Sequence, residues 1–228
     1  MYGPSRVLLV MIRQITRVVT FLAGVFLIAI GVALSVRADL GTAPIASLPA
    51  VLSFATSVSV GTYVMALNVL FVVLQMLILR KKFPVFQFVQ LPLAFAFGFF
   101  VDLSMYLTSW IQPGHYLEQW AWLLLSIVVL ALGVFVEAQP RLTYLPGNAI
   151  VFTIYTVLQN YRYGTIKTLV DSTLVIVSAA LSLILMGGLY GVREGTVFSA
   201  IFVGVVIRWI NALYQRWRRP KPDASGGA

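Results

Sequence analysis

Hydrophobic positions along this chain come in long unbroken runs, and polar residues punctuate them. Residues 18–36, 60–79, 86–110, 120–137, 165–186 and 196–214 form six such runs. Each is close to the roughly 20 apolar residues that a membrane-crossing helix needs. Two further apolar stretches are shorter. One follows Arg37-Ala38-Asp39-Leu40-Gly41-Thr42-Ala43-Pro44 and ends near Thr56; the other follows Leu145-Pro146-Gly147-Asn148 and ends near Leu158. A helix over the first of them covers roughly 20 Å, against a bilayer core of about 30 Å. Segments 38–57 and 139–159 are therefore predicted to enter the membrane and stop inside it. The expected fold is an all-α polytopic membrane protein, with six transmembrane helices and two short re-entrant or half-spanning helices.

Both short segments begin at a proline. Proline suits the first position of a helix, because its missing N–H would be unpaired there anyway. Pro44 and Pro146 are thus predicted to open two half-helices. A helix N-terminus leaves amide groups without intrahelical partners and carries about half a positive charge. Irregular backbone within a membrane survives only where protein buries it or where it lines a wet cavity. Gly41, Thr42 and Pro44, with Pro146, Gly147 and Asn148, are the resulting candidate binding residues. Thr42 and Asn148 are expected to approach each other near the midplane and face one polar cavity.

The chain also matches itself. An offset of 102 residues sets Gly31-Val32 on Gly133-Val134 and Pro44 on Pro146. An offset of 103 sets Gly61-Thr62 on Gly164-Thr165 and Asn68 on Asp171; an offset of 106 sets Gly98 on Gly204 and Asp102 on Arg208. The matches keep one order, with small drift. Each unit holds three spans, an odd number, so the second must lie upside down relative to the first. The predicted organisation is an inverted 3+3 repeat. Residues 1–17 are a basic cytoplasmic lead-in, 18–110 the first repeat and 111–119 an external turn. Residues 120–214 are the second repeat and 215–228 a basic cytoplasmic tail, disordered from Asp223. Inverted repeats with interrupted helices are common among transporters, which bind their substrates at the repeat interface.

Charge sets the orientation. Leaving Arg208 aside as intramembrane, six spans put about thirteen basic residues on the side of both termini and only Arg37 and Arg193 opposite. Eight spans would give roughly nine against six, a far weaker positive-inside bias. Six spans with cytoplasmic termini follow. The run after Arg17 is too long for a cleavable signal segment. The chain is 60% hydrophobic and 10% charged, with a mean hydropathy of +0.94, against about 25% charge in soluble domains. Its net charge of +9 fits loops beside anionic lipid better than nucleic acid. It has no cysteine and a single histidine, His115. No metal set, no cofactor motif and no Ser-His-Asp arrangement is legible, so no enzymatic activity is expected.

Charges inside spans are costly and need a reason. Asp102 lies on the outer side with Arg37 and Arg193, and one of these is its expected partner. Arg208 and Glu137 lie on the inner side and are expected to pair. Asn68 and Asp171 occupy matched positions and join the candidate binding residues, with Lys167 one turn from Asp171 to neutralise it.

Three motifs carry a resemblance. Leu40-Gly41-Thr42-Ala43-Pro44, the Gln90 to Asp102 stretch with Gly98, and Arg193-Glu194-Gly195-Thr196 followed by Gly204 resemble the YczE/YyaS/YitT type of small bacterial integral membrane protein. The likeness covers most of residues 18–214 and implies a bacterial inner-membrane protein without supplying a mechanism. Leu145-Pro146-Gly147-Asn148 lacks the Gly-Thr-Ala lead of the first repeat, so the two half-sites are chemically unequal. The residues favour a transporter or channel for a small polar or anionic solute. The alternative is a non-transporting scaffold for a membrane-associated complex. The bilayer is the expected partner, with a small solute and a second copy of the chain as further candidates.

The topology makes a direct prediction. Single cysteines at Lys81 and Arg162 should react with an impermeant thiol reagent only from the cytoplasmic side, and cysteines at His115 and Arg193 only from outside. Labelling of position 81 from outside would contradict six spans.

Overall fold

The structure, a computed structural model, describes residues 4–218. Eight α-helices carry the chain: α1 (Pro4–Arg37), α2 (Pro44–Ala55), α3 (Val60–Leu79), α4 (Gln90–Leu107), α5 (Tyr116–Ala138), α6 (Pro146–Val157), α7 (Tyr163–Met186) and α8 (Glu194–Arg218). Short 3₁₀ turns at Arg80–Lys82 and Val85–Val89 bridge α3 and α4, and no strand occurs among the described residues. Six helical stretches are long and apolar enough to cross a membrane: Met11–Arg37, Val60–Lys82, Val85–Leu107, Tyr116–Ala138, Tyr163–Met186 and Glu194–Trp217. The chain is a multi-pass membrane protein. The other two helices, α2 and α6, have 12 residues each and reach only about 18 Å.

Local chemistry explains the boundaries. Ser59 caps α3 by accepting the Thr62 amide at 3.2 Å, and the cations Arg80, Lys81 and Lys82 follow its end. Gly187 ends α7 in the left-handed conformation, φ 68°, which glycine adopts without strain. The basic lead-in is helical and runs into the first span, since α1 is continuous from Pro4 and no glycine or proline interrupts it before that span. Likewise α8 runs on to Arg218. The expectation for residues 223–228 lies outside the described residues.

The core is the crossing of α1 and α5. A methyl on Gly31 would stand 2.8 Å from Leu130 Cβ, and one on Gly133 would stand 2.6 Å from the Ile28 amide nitrogen. Both are closer than real side-chain contacts allow, so the two backbones meet where only glycine fits. Under the 102-residue offset Gly31 corresponds to Gly133 and Ile28 to Leu130. The two contacts are therefore one contact made once by each half. Val25, Ala29, Val32 and Ala131 are fully or almost fully buried around it.

The remaining packing is matched in the same way. α4 lies on α1 as α8 lies on α5; α2 lies on α3 as α6 lies on α7; and each short helix also packs on the opposite half, α2 on α7 and α6 on α3. Two pairs break the match. α2 packs on α8, with no packing of like extent between α6 and α4. α3 and α4 pack along each other, whereas α7 and α8 do not.

Overpacking a dense contact costs typically about 1–3 kcal/mol. Gly133→Leu should therefore lower the thermal midpoint of the purified protein by several degrees. Gly204→Leu, at a glycine facing open space, should leave the midpoint nearly unchanged. Equal effects would contradict the crossing.

Candidate functional site

The two half-helices start as the sequence predicts and with nearly the same geometry. Ala43 precedes α2 at φ −56°, ψ 144°, and Leu145 precedes α6 at φ −55°, ψ 145°. Each is extended backbone leading into a proline at the first helical position, and neither helix has a side-chain cap. The two N-termini lie side by side, because a methyl on Gly147 would collide with Ile45 Cδ1. The amides of Ile45 and Gly147, second in each half-helix, have no partner among the described residues.

A cavity of about 240 Å³ opens in front of these two ends. Pro44, Ile45, Gly147 and Asn148 line it from the half-helices, and Asn68 lines it from α3. Lys167, Thr168 and Asp171 form its α7 wall, and Ser199, Ala200 and Gly204 its α8 wall. Apolar side chains of α1, α4 and α5, among them Ile28, Phe97 and Leu130, close the rest. Asn68 is buried and donates to the Val64 carbonyl at 2.8 Å. Lys167 Nζ bridges both Asp171 carboxylate oxygens at 2.8 and 2.9 Å, the local neutralisation expected from their spacing. Of the predicted binding residues, Pro44, Asn68, Gly147, Asn148 and Asp171 line one cavity. Pro146 is buried beside it, without lining it.

Gly41 and Thr42 are corrected. The Thr42 amide and hydroxyl both donate to the Gly191 carbonyl, at 3.1 and 3.3 Å. Gly41 has φ +96°, and a side chain there would collide with Thr196. The Gly195 amide donates to the Leu40 carbonyl at 2.8 Å, and Arg193 Nη1 to the Asp39 carbonyl at 2.8 Å. Residues 39–42 are thus a latch onto the turn before α8. Thr42 does not face Asn148; Ile45 and Gly147 meet instead.

Both predicted ion pairs are also corrected. Asp102 pairs with neither Arg37 nor Arg193. Its carboxylate accepts the Gly61 amide at 2.7 Å and the Ser59 hydroxyl at 2.7 Å, so it holds the start of α3, where an anion is favoured. Arg37 donates to the Met105 carbonyl at 2.9 Å, and Arg193 lies 3.4 Å from Glu194. Glu137 does not meet Arg208. It is buried and accepts the Leu145 amide at 3.0 Å, fixing the residue that leads into α6.

Two buried contacts between side chains went unread in the sequence. Gln75 and Gln90 exchange amide hydrogen bonds of 3.1 and 3.3 Å between α3 and α4. Ser47 and Ser178 share one of 2.9 Å between α2 and α7. A glutamine within a long apolar run was the available signal, since a buried amide needs a partner.

Comparison with known proteins gives one match. The model of a family of unknown function (DUF6198) matches residues 15–212. No curated protein and no solved structure matches the chain.

Proposed function

The chain belongs to that family, and we propose that it is a bacterial inner-membrane transporter or channel for a small polar or anionic solute, with both termini cytoplasmic. One observation carries this reading: two proline-led half-helices end at one cavity with amides unpaired. An unpaired buried amide costs a few kcal/mol, and water or a ligand removes that cost. The Ile45 and Gly147 amides, each at the positive end of a helix, suit a carboxylate, phosphate or other electron-rich group. Asn148 and Asn68 offer further polar edges beside them. The salt bridge of Lys167 with Asp171 keeps that wall of the cavity near neutrality.

The matched packing of the halves supports an inverted repeat. In such proteins the binding site lies at the repeat interface near the midplane, and this cavity is lined by helices of both halves. The resemblance to YczE/YyaS/YitT-type proteins supports the bacterial inner membrane. A scaffold would be better served by a dry core. The apolar furrow between α5 and α8, lined by Leu132, Phe135 and Trp209, has the composition that a lipid-facing surface needs. No step in this reading requires enzymatic chemistry.

Reconstitution into liposomes tests the proposal against a panel of small carboxylates, phosphates and neutral polar solutes. At least one should accumulate. Asn148→Leu should abolish that uptake while expression and thermal midpoint stay near those of the native chain. Unchanged uptake by this variant, or no uptake of any solute by the native chain, would overturn the reading.

A further inference from the structure

We propose that the ligand of this cavity is an anionic amphiphile, with its head between the half-helices and its tail running out between α7 and α8. The inference rests on the cavity being a binding site, and it narrows the solute of that reading to one that carries an alkyl tail and enters from the bilayer.

The argument begins with a seam that breaks the match between the halves. Three devices close the α3–α4 seam. Gly61 and Gly98 approach so closely that a methyl on either would meet the other's carbonyl. Asp102 of α4 holds the Gly61 amide and the Ser59 hydroxyl at the start of α3. The Gln75 and Gln90 amides pair farther along. The second half carries none of these. Gly164 and Gly204, the counterparts of Gly61 and Gly98, both face open space. Arg208 stands where Asp102 would, and a guanidinium cannot accept an amide hydrogen. Ser178 stands at the Gln75 position and is turned to Ser47 on α2. The α7–α8 seam is therefore unfastened along its length.

The cavity opens through that seam. Thr168 on one rim and Ala200 and Gly204 on the other line it and are exposed. Asp171 lies about 12 Å along α7 from its start, and Gly204 about 15 Å along α8. In a bilayer with a core of about 30 Å, the opening meets hydrocarbon. A water-soluble anion would have to cross lipid to reach it. An amphiphile already resident in the bilayer would not.

The surroundings sort by polarity to suit such a molecule. The inner end of the cavity offers the Ile45 and Gly147 amides and Asn148. The helix faces outside the opening expose Leu169, Ile201 and Val205. A phosphate or carboxylate head takes the first, and an alkyl tail lies along the second.

Thermal unfolding in a neutral detergent tests this with defined probes, since a ligand that binds only the folded state raises the midpoint. Dodecyl phosphate should raise it by several degrees in a saturable way. Methyl phosphate and dodecanol, the head and the tail alone, should each raise it by less than one degree. Gly204→Trp, which fills the opening at an exposed position, should keep the native midpoint and lose the response to dodecyl phosphate. An equal response to methyl phosphate would overturn the amphiphile while leaving a small-solute transporter in place. An equal response to dodecanol would overturn the anionic head. No response to dodecyl phosphate, or a full response in Gly204→Trp, would overturn the inference as a whole.

Discussion

A helix that stops inside a bilayer leaves amide groups that lipid cannot satisfy, and α2 and α6, with 12 residues each, are too short to cross one. Pro44 and Pro146 remove one donor each. Ala43 and Leu145 provide the extended backbone that aims each half-helix at the other. What remains unpaired, the amides of Ile45 and Gly147, is gathered at one cavity. The rest of the fold holds that meeting in place. α2 and α6 each pack on long helices of both halves, so neither end can withdraw without disturbing the opposite half. Glu137 fixes the backbone leading into α6, and the 39–42 latch fixes the backbone leading into α2.

The crossing of α1 and α5 is the most extensive contact between the two halves. Gly31 and Gly133 bring the two backbones into contact, and each glycine receives the residue that corresponds to the other's neighbour. A self-matching contact of this kind needs the two halves to be related by a two-fold turn at that point. From it the matched seams follow outward, until α3–α4 and α7–α8 diverge. The divergence turns on a few side chains. Asp102 can hold an amide at the start of α3, whereas Arg208 in the matched place can hold none.

Much of this was legible in the sequence, and the limits have physical causes. α3 runs over the predicted residues, and both half-helices begin at the predicted prolines, because proline at a helix start is a local constraint. Asn68, Asp171, Gly147 and Asn148 were legible as polar positions in matched apolar settings. Gly41 and Thr42 misled because their neighbours are remote in the chain: Gly41 packs on Thr196, and the partner of Thr42, Gly191, lies 149 residues from it. The ion pairs misled for a related reason. Opposite charges at one depth were matched to each other, but Asp102 and Glu137 are satisfied by backbone amides, which every residue but proline supplies. The open α7–α8 seam was hidden because both halves carry the same glycines, and only their surroundings differ.

The central claim is that α2 and α6 meet by their N-termini within the membrane and point to opposite faces. The absence of native cysteine allows spin labels to be placed at Ser57 and Gln159 alone, just past the two C-terminal ends. Pulsed electron–electron resonance on the reconstituted protein then measures their separation. Two 12-residue helices extending away from one meeting point predict a distance of about 30 Å or more, at about 1.5 Å per residue, with each label at a different membrane surface. A distance below about 20 Å, or both labels at one surface, would contradict the meeting of the half-helices and with it the site.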